Sequence, residues 1–295
     1  MRVTDAAYTR TWVPCAEKRI EMASRGTIVK RKVARLPGGV ALMLFAALGA
    51  VAQESFDYSS YAQVLERYVA PEGRVRYAAL KEHPDELKMF VAQLATLSPE
   101  NRPELFPTRA SQIAYWINAY NAFVLYEVTL NYPVESVRDL KFGFGFLFFK
   151  RARFLAGDKR YSLDDIEHGI LRQRYADPRI HFALNCASRS CPPLRREPFL
   201  PGKLNEQLEQ AAHEFMARQE NVWMRGDVLF LSAIFDWYRE DFARAAQRGA
   251  GKATVVDYVV RYLPPEVAAQ VEKRRPPVEF YNYDWSLNDA TTHSD

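Results

Sequence analysis

A long helix without a polar face is the feature that most constrains how this chain can fold. Residues 111–130 read SQIAYWINAYNAFVLYEVTL, which is apolar in nearly every direction around a helix. Such a helix must be surrounded by other elements, so we predict a central buried helix. Amphipathic helices are predicted at residues 58–69 and 86–97, and a hairpin over residues 221–231. These patterns indicate an α+β fold, a helix-rich single domain whose central buried helix packs on a small, mainly antiparallel sheet.

Two asparagines interrupt this apolar helix. Asn118 and Asn121 are three residues apart, so their side chains project on the same side. Because buried amides need hydrogen-bond partners, the simpler interpretation is that both tie a neighbouring loop or strand to the helix. The alternative is a catalytic or ligand-binding role next to a cleft, which would not exclude the structural one.

A second helix places a carboxylate among apolar side chains. It opens with a capping-box pattern, in which Ser162 is the cap and Asp165 reaches back. At helical spacing, Glu167 falls inside the apolar stripe, whereas His168 lies off its edge. A buried carboxylate is costly unless it is paired or strongly hydrogen-bonded. Glu167 is therefore expected either to hold this helix to the core, or to act as a general acid or base or orient a histidine in a closed pocket.

The segment IHFALN at residues 180–185 is short, apolar and bounded, which predicts an interior strand. Alternation along a strand would place His181 and Asn185 on the face opposite to Cys186. A regular strand would thus prevent His181 from serving as the base of the Cys186 thiol. His181 would act instead with Asn185 or with the asparagines of the central helix.

The N-terminal region has the pattern of a secretory signal. A basic stretch, KRKVAR at residues 30–35, precedes an uncharged apolar run at 40–52 that is too short to span a bilayer and ends in Ala-Val-Ala. We predict a signal peptide over residues 1–52, with Met22 as an alternative start, and a single periplasmic or secreted domain over residues 53–295. No later run is long and apolar enough for an integral membrane segment in the mature chain.

The charge of the predicted mature chain argues against nucleic acid as a partner. Residues 1–52 hold 9 of the 40 Lys and Arg and 3 of the 36 Asp and Glu, which leaves 31 basic and 33 acidic side chains and a net charge of −2. A peptide, a small molecule or a cell-envelope component is the expected ligand. The sequence indicates no cofactor. It has neither a phosphate-binding glycine loop nor the nucleophile elbow of a serine hydrolase. The histidines lack zinc-binding spacing, so no metal site is predicted either.

Two cysteines with four residues between them allow two functions. An oxidising compartment favours a Cys186–Cys191 disulfide, which would make the domain a non-catalytic binding or structural module of the cell envelope. A free Cys186 would instead be the nucleophile of a papain-like or transglutaminase-like hydrolase or acyl transferase, with a histidine as base and a third group as orienter. The side chains available for those two roles are His168, His181, Glu167, Asn118 and Asp284.

Five blocks of sequence together resemble the domain-of-unknown-function 547 family. They are WINAYNA at 116–122, SLDDIEHGILR at 162–172, DPRIHFALNCASRSCP at 177–192, IFDWYREDF at 234–242 and YDWSLN at 283–288. The resemblance brings no settled activity. It implies that the residues of a site lie in these blocks, namely Asn118, Asn121, Glu167, His168, His181, Asn185, Cys186, Asp284 and Asn288.

Overall fold

Helices dominate the chain, for which a computed structural model describes residues 55–140, 147–247 and 251–290. The predicted signal peptide lies outside these residues. The α-helices are α1 (Ser59–Tyr68), α2 (Tyr77–Glu82), α3 (Asp85–Thr96), α4 (Arg109–Asn131), α5 (Leu147–Arg151), α6 (Leu204–Met216), α7 (Ala233–Trp237), α8 (Arg239–Ala246), α9 (Val255–Val259) and α10 (Pro265–Arg274). In this part of the chain, no helix combines the length and apolar character needed to cross a membrane.

Five short strands form two small sheets. The strands are β1 (Phe154–Ala156), β2 (Lys159–Tyr161), β3 (Val222–Arg225), β4 (Val228–Leu231) and β5 (Val278–Phe280). Strands β1 and β2 pair antiparallel. The second sheet has the order β3-β4-β5, in which β3 is antiparallel and β5 parallel to β4. The predicted hairpin at 221–231 is confirmed, with Gly226 at φ +61° in its turn.

The predicted central helix is α4, and sixteen of its 23 residues are buried. Its first turn is closed by a capping box, because the Thr108 side chain accepts a hydrogen bond from Ser111 N and Ser111 reciprocates. Helix α4 packs against α2, α3 and α6, and Phe123 stacks on Phe154 of β1 with ring centroids 4.7 Å apart. The helix-rich α+β prediction is therefore confirmed. The β3-β4-β5 sheet belongs to a second apolar cluster, formed with α6 to α10.

The helix predicted after Ser162 is wound more widely than an α-helix. Its capping box is present, since Asp165 Oδ2 accepts from Ser162 N at 2.8 Å and Ser162 Oγ accepts from Asp165 N at 3.0 Å. The chain then forms a π-helix over Asp165–Tyr175, which has i→i+5 hydrogen bonds. It ends at Ala176, a residue in the left-handed region at φ +51°.

The strand predicted at residues 180–185 is wrong. The segment forms a 3-10 helix over Pro178–Phe182 and then a loop. The Asp177 side chain accepts a hydrogen bond from Arg179 N, and Pro178 occupies the first turn, a combination that favours the start of a helix. The predicted alternation of His181 and Asn185 against Cys186 is wrong for the same reason.

Candidate functional site

A cavity of ≈ 480 Å³ gathers residues from six distant parts of the chain. Its walls come from α4, α5, the π-helix, the 3-10 helix with the loop after it, the α7–α8 junction and the C-terminal segment after β5. All four catalytic candidates from the sequence line it, namely Glu167, His168, His181 and Cys186. Asn118, Asn121, Asn185 and Asp284 are not part of its lining.

Glu167 is held in the cavity wall by neutral hydroxyl groups. Tyr120 Oη donates a hydrogen bond to Oε2 at 3.3 Å, and Tyr238 Oη donates to Oε1. Burial, together with the charge of Glu167, raises the pKa of both tyrosines, so both hydroxyls stay protonated. Among the described residues, Glu167 takes part in no ion pair. Both expected roles of this carboxylate are thus compatible with its position, because it joins the π-helix to α4 while facing the cavity.

His181 is buried beside a carboxylate that sequence analysis did not single out. Its Nε2 donates to Asp241 Oδ2 at 2.8 Å, and Arg172 Nε donates to the same oxygen at 2.6 Å. Burial lowers the pKa of His181, which favours the neutral ring despite the neighbouring carboxylate. Burial alone would raise the pKa of Asp241, but the bonds from His181 and Arg172 outweigh it and hold that pKa well below its usual range. The Tyr238 ring covers His181, with centroids 3.7 Å apart.

His168 lies at the more exposed side of the cavity. Arg172 Nη1 is 2.9 Å from His168 Nδ1, and because arginine can only donate, this nitrogen accepts and carries no proton. The other ring nitrogen, Nε2, lies 3.7 Å from Asp164 Oδ1. Arg172 also lies over the Tyr238 ring at 5.0 Å, so its guanidinium is engaged on three sides.

Cys186 and Cys191 are joined by a disulfide bond, and both line the cavity. Tyr283 Oη donates to Cys191 Sγ at 3.1 Å and lies 3.3 Å from Cys186 Sγ. The disulfide loop pairs with the C-terminal segment, since Arg189 N donates to Ser286 O at 2.9 Å and Asn288 N donates to Ala187 O at 3.1 Å. The sequence-based expectation of a Cys186–Cys191 disulfide is confirmed, and the bond shapes one wall of the cavity.

Three aromatic side chains form a further part of the lining, which we call the aromatic wall: Trp237, Tyr283 and Trp285. Trp237 lies 4.7 Å from Tyr283 and 5.8 Å from Trp285 between ring centroids, and Tyr283 lies 4.6 Å from Trp285. Trp237 is 46% exposed although it is a large apolar residue. An exposed aromatic side chain at a concave surface is typical of a ligand contact.

The two asparagines of α4 hold backbone segments in place. Asn118 Nδ2 donates to Phe199 O at 2.8 Å and its Oδ1 accepts from Phe199 N at 3.0 Å. Asn121 does the same for the loop before the disulfide, donating to Ala183 O at 2.9 Å and accepting from Asn185 N at 2.8 Å. The interpretation that these amides tie neighbouring segments to the central helix is confirmed, whereas their ligand-binding role stays a prediction.

The remaining binding candidates support the disulfide loop from outside the cavity. Asn185 Nδ2 donates to Pro192 O at 2.8 Å, and its Oδ1 accepts from Ala187 N at 2.9 Å. Asp284 is exposed, and its Oδ1 accepts hydrogen bonds from the backbone and side chain of Ser286. Both residues therefore set the shape of the loop and of the segment that it pairs with.

Fold and site together define a helix-rich α+β domain with a polar and aromatic cavity beside a disulfide loop. Residues 105–216 match a family described as "Protein of unknown function, DUF547". The resemblance found in the sequence motifs is confirmed over these residues. The blocks at 234–242 and 283–288 lie beyond the match, although they contribute Tyr238, Asp241 and the aromatic wall. Comparison with curated proteins and with solved structures finds no match.

Proposed function

We propose that this domain is a non-catalytic binding module of the cell envelope, periplasmic or secreted, whose cavity takes a peptide, a small molecule or an envelope component. The observation that carries the proposal is the disulfide in the cavity wall. The alternative, a thiol hydrolase or acyl transferase, needs a thiolate at Cys186, and a disulfide leaves none. Disulfides persist in oxidising compartments, which also supports export of the chain.

The other polar groups support binding better than proton transfer. His181 Nε2 is used on Asp241, and the Tyr238 ring covers the imidazole. The hydroxyls of Tyr120 and Tyr238 both donate to Glu167, and their raised pKa values keep them protonated. A wall fixed by such bonds loses little conformational freedom when a ligand enters, which favours affinity.

Peptide mass spectrometry tests this proposal. The exported mature protein is alkylated before and after reduction and then digested. We expect a linked peptide that contains Cys186 and Cys191, no alkylation of either residue before reduction, and an N-terminus near Gln53. A free Cys186 that alkylates faster in the folded protein than in the unfolded one would refute the binding-module proposal and favour thiol catalysis.

A further inference from the structure

Glu167 is a carboxylate in a cavity whose nearest donors are neutral. Each of its oxygens accepts one tyrosine hydroxyl, and an ionised carboxylate offers about four acceptor sites, so about half of them remain open. Resting on the function proposed above, we propose that the cavity binds a primary ammonium group on an alkyl chain, as in a lysine side chain, with Glu167 as its acceptor.

The cations near Glu167 do not fill this role. Arg172 donates to Asp241 and to His168, and its guanidinium lies over the Tyr238 ring. Lys150 also lines the cavity, but it is exposed and forms no ion pair with Glu167. Within the part of the chain that the structure describes, the charge of Glu167 therefore has no directly bonded cation. A ligand that brings one would form charge-assisted hydrogen bonds, which are stronger than neutral ones.

The rest of the lining suits the alkyl chain of such a ligand. Leu184 and Ile234 provide apolar surface. Trp237 and Tyr283 of the aromatic wall provide ring faces that attract a cation, whereas the Trp285 ring already lies 6.0 Å from the Arg138 guanidinium. A primary ammonium would use both the rings and the carboxylate, because it has N–H donors. A quaternary ammonium keeps the charge and the ring contacts but has no N–H donor, so comparing the two ligand types measures the hydrogen bonds to Glu167.

Fluorescence titration with matched probes tests the proposal. The probes are Nα-acetyl-lysine amide, its Nε-trimethyl form and Nα-acetyl-norleucine amide, which lacks the ammonium. The reporter is the full mature protein carrying Trp223→Phe, because Trp223 is exposed outside the cavity whereas Trp237 and Trp285 line it. We expect the lysine probe to bind at least about tenfold more tightly than the norleucine probe, and also more tightly than the trimethyl probe.

Glu167→Gln removes the charge and keeps an oxygen for one of the two tyrosine hydroxyls, while the other hydroxyl can accept a hydrogen bond from the new amide group. We expect this variant to bind the lysine probe at least about tenfold more weakly and to bind the norleucine probe with unchanged affinity. Glu206→Gln is the matched control, because Glu206 is exposed on α6 outside the cavity, and it should change neither affinity. If Glu167→Gln fails to fold, the probe comparison on the Trp223→Phe protein still decides.

The two proposals fail in different ways. Three results would overturn the ammonium proposal. They are that the lysine probe binds no more tightly than the norleucine probe, that it binds no more tightly than the trimethyl probe, or that it does not bind at all. None of these results affects the disulfide, which the mass-spectrometric experiment measures. A reactive free Cys186 would overturn the non-catalytic function, while preferential binding of the lysine probe would still assign an ammonium site.

Discussion

Replacing Asn121 by alanine should destabilise the domain strongly, because this one amide supports the loop that leads into the disulfide. The side chain is buried and makes two hydrogen bonds to backbone groups, one to Ala183 O at 2.9 Å and one from Asn185 N at 2.8 Å. Alanine removes both partners and leaves a buried carbonyl and a buried N–H unpaired. Nothing in the substitution adds a new partner for either group.

The magnitude follows from those two orphaned groups. Leaving one buried polar group unsatisfied costs about 1–3 kcal/mol, so Asn121→Ala should lower the free energy of unfolding by about 2–6 kcal/mol. Water entering the space would bring the cost towards the lower end of this range. At about 2–4 °C per kcal/mol for a domain of this size, the melting temperature should fall by at least about 4 °C.

Urea denaturation followed by circular dichroism measures this loss. The m-value should stay unchanged, because the surface exposed on unfolding is the same. Asn205→Ala is the control, since Asn205 is an exposed asparagine that accepts one bond from Arg179, whose guanidinium also pairs with carboxylates. That variant should stay within about 0.5 kcal/mol of the wild type. A loss below about 1 kcal/mol for Asn121→Ala would refute the assignment of the amide as a structural tie.

Three further predictions concern stability. Replacing Cys186 and Cys191 by serine should lower the free energy of unfolding by about 2 kcal/mol, which is the loop-closure value for residues 5 apart in sequence. Urea denaturation measures this loss, and an unchanged midpoint would contradict the prediction. Gly73→Ala should lower the free energy of unfolding by about 1–3 kcal/mol, because Gly73 has φ +87° and an added Cβ would lie 2.3 Å from a proline side chain. Gly169→Ala is the control, because a Cβ added there meets no atom within 4 Å and should not lower the free energy of unfolding. Burial lowers the pKa of His181, so the unfolded state binds more protons than the folded state. The stabilisation should therefore be full above about pH 6.5 and decrease as the pH falls below that value. Denaturation at pH 5 and pH 7.5 should show a smaller difference in stability for His181→Gln than for the wild type.

Local sequence patterns predicted the elements whose formation depends on local interactions. The apolar run of α4, the capping box at Ser162 and the hairpin of β3 and β4 all match the structure. The segment at 180–185 did not, because a six-residue, mainly apolar run is compatible with either a strand or a helical turn. Asp177-Pro178 was the available signal for a helix start, and its capping bond decides the outcome.

The sequence predicted the site residues that conflicted with a local pattern or stood in a recognisable motif, and it missed the others. Glu167 stood out because a carboxylate fell inside an apolar stripe, and it does face the cavity. Asp241 carried no such signal, since its partner His181 is 60 residues away and ordinary helix patterning explains an acidic residue in the first turn of α8. Tyr238 and Tyr283 were equally inconspicuous, because their roles depend on tertiary contacts that no local periodicity encodes.

The pairing of the C-terminal segment with the disulfide loop makes ligand binding and folding one linked equilibrium. The cavity lining extends in sequence from Tyr120 to Trp285, so the lining is complete only while that segment is docked. Any occupant that contacts Tyr283 or Trp285 favours the docked state and raises the apparent stability by RT ln(1 + [L]/Kd). A thermal-shift screen of envelope-derived compounds would therefore report occupants of the cavity without any assay of activity.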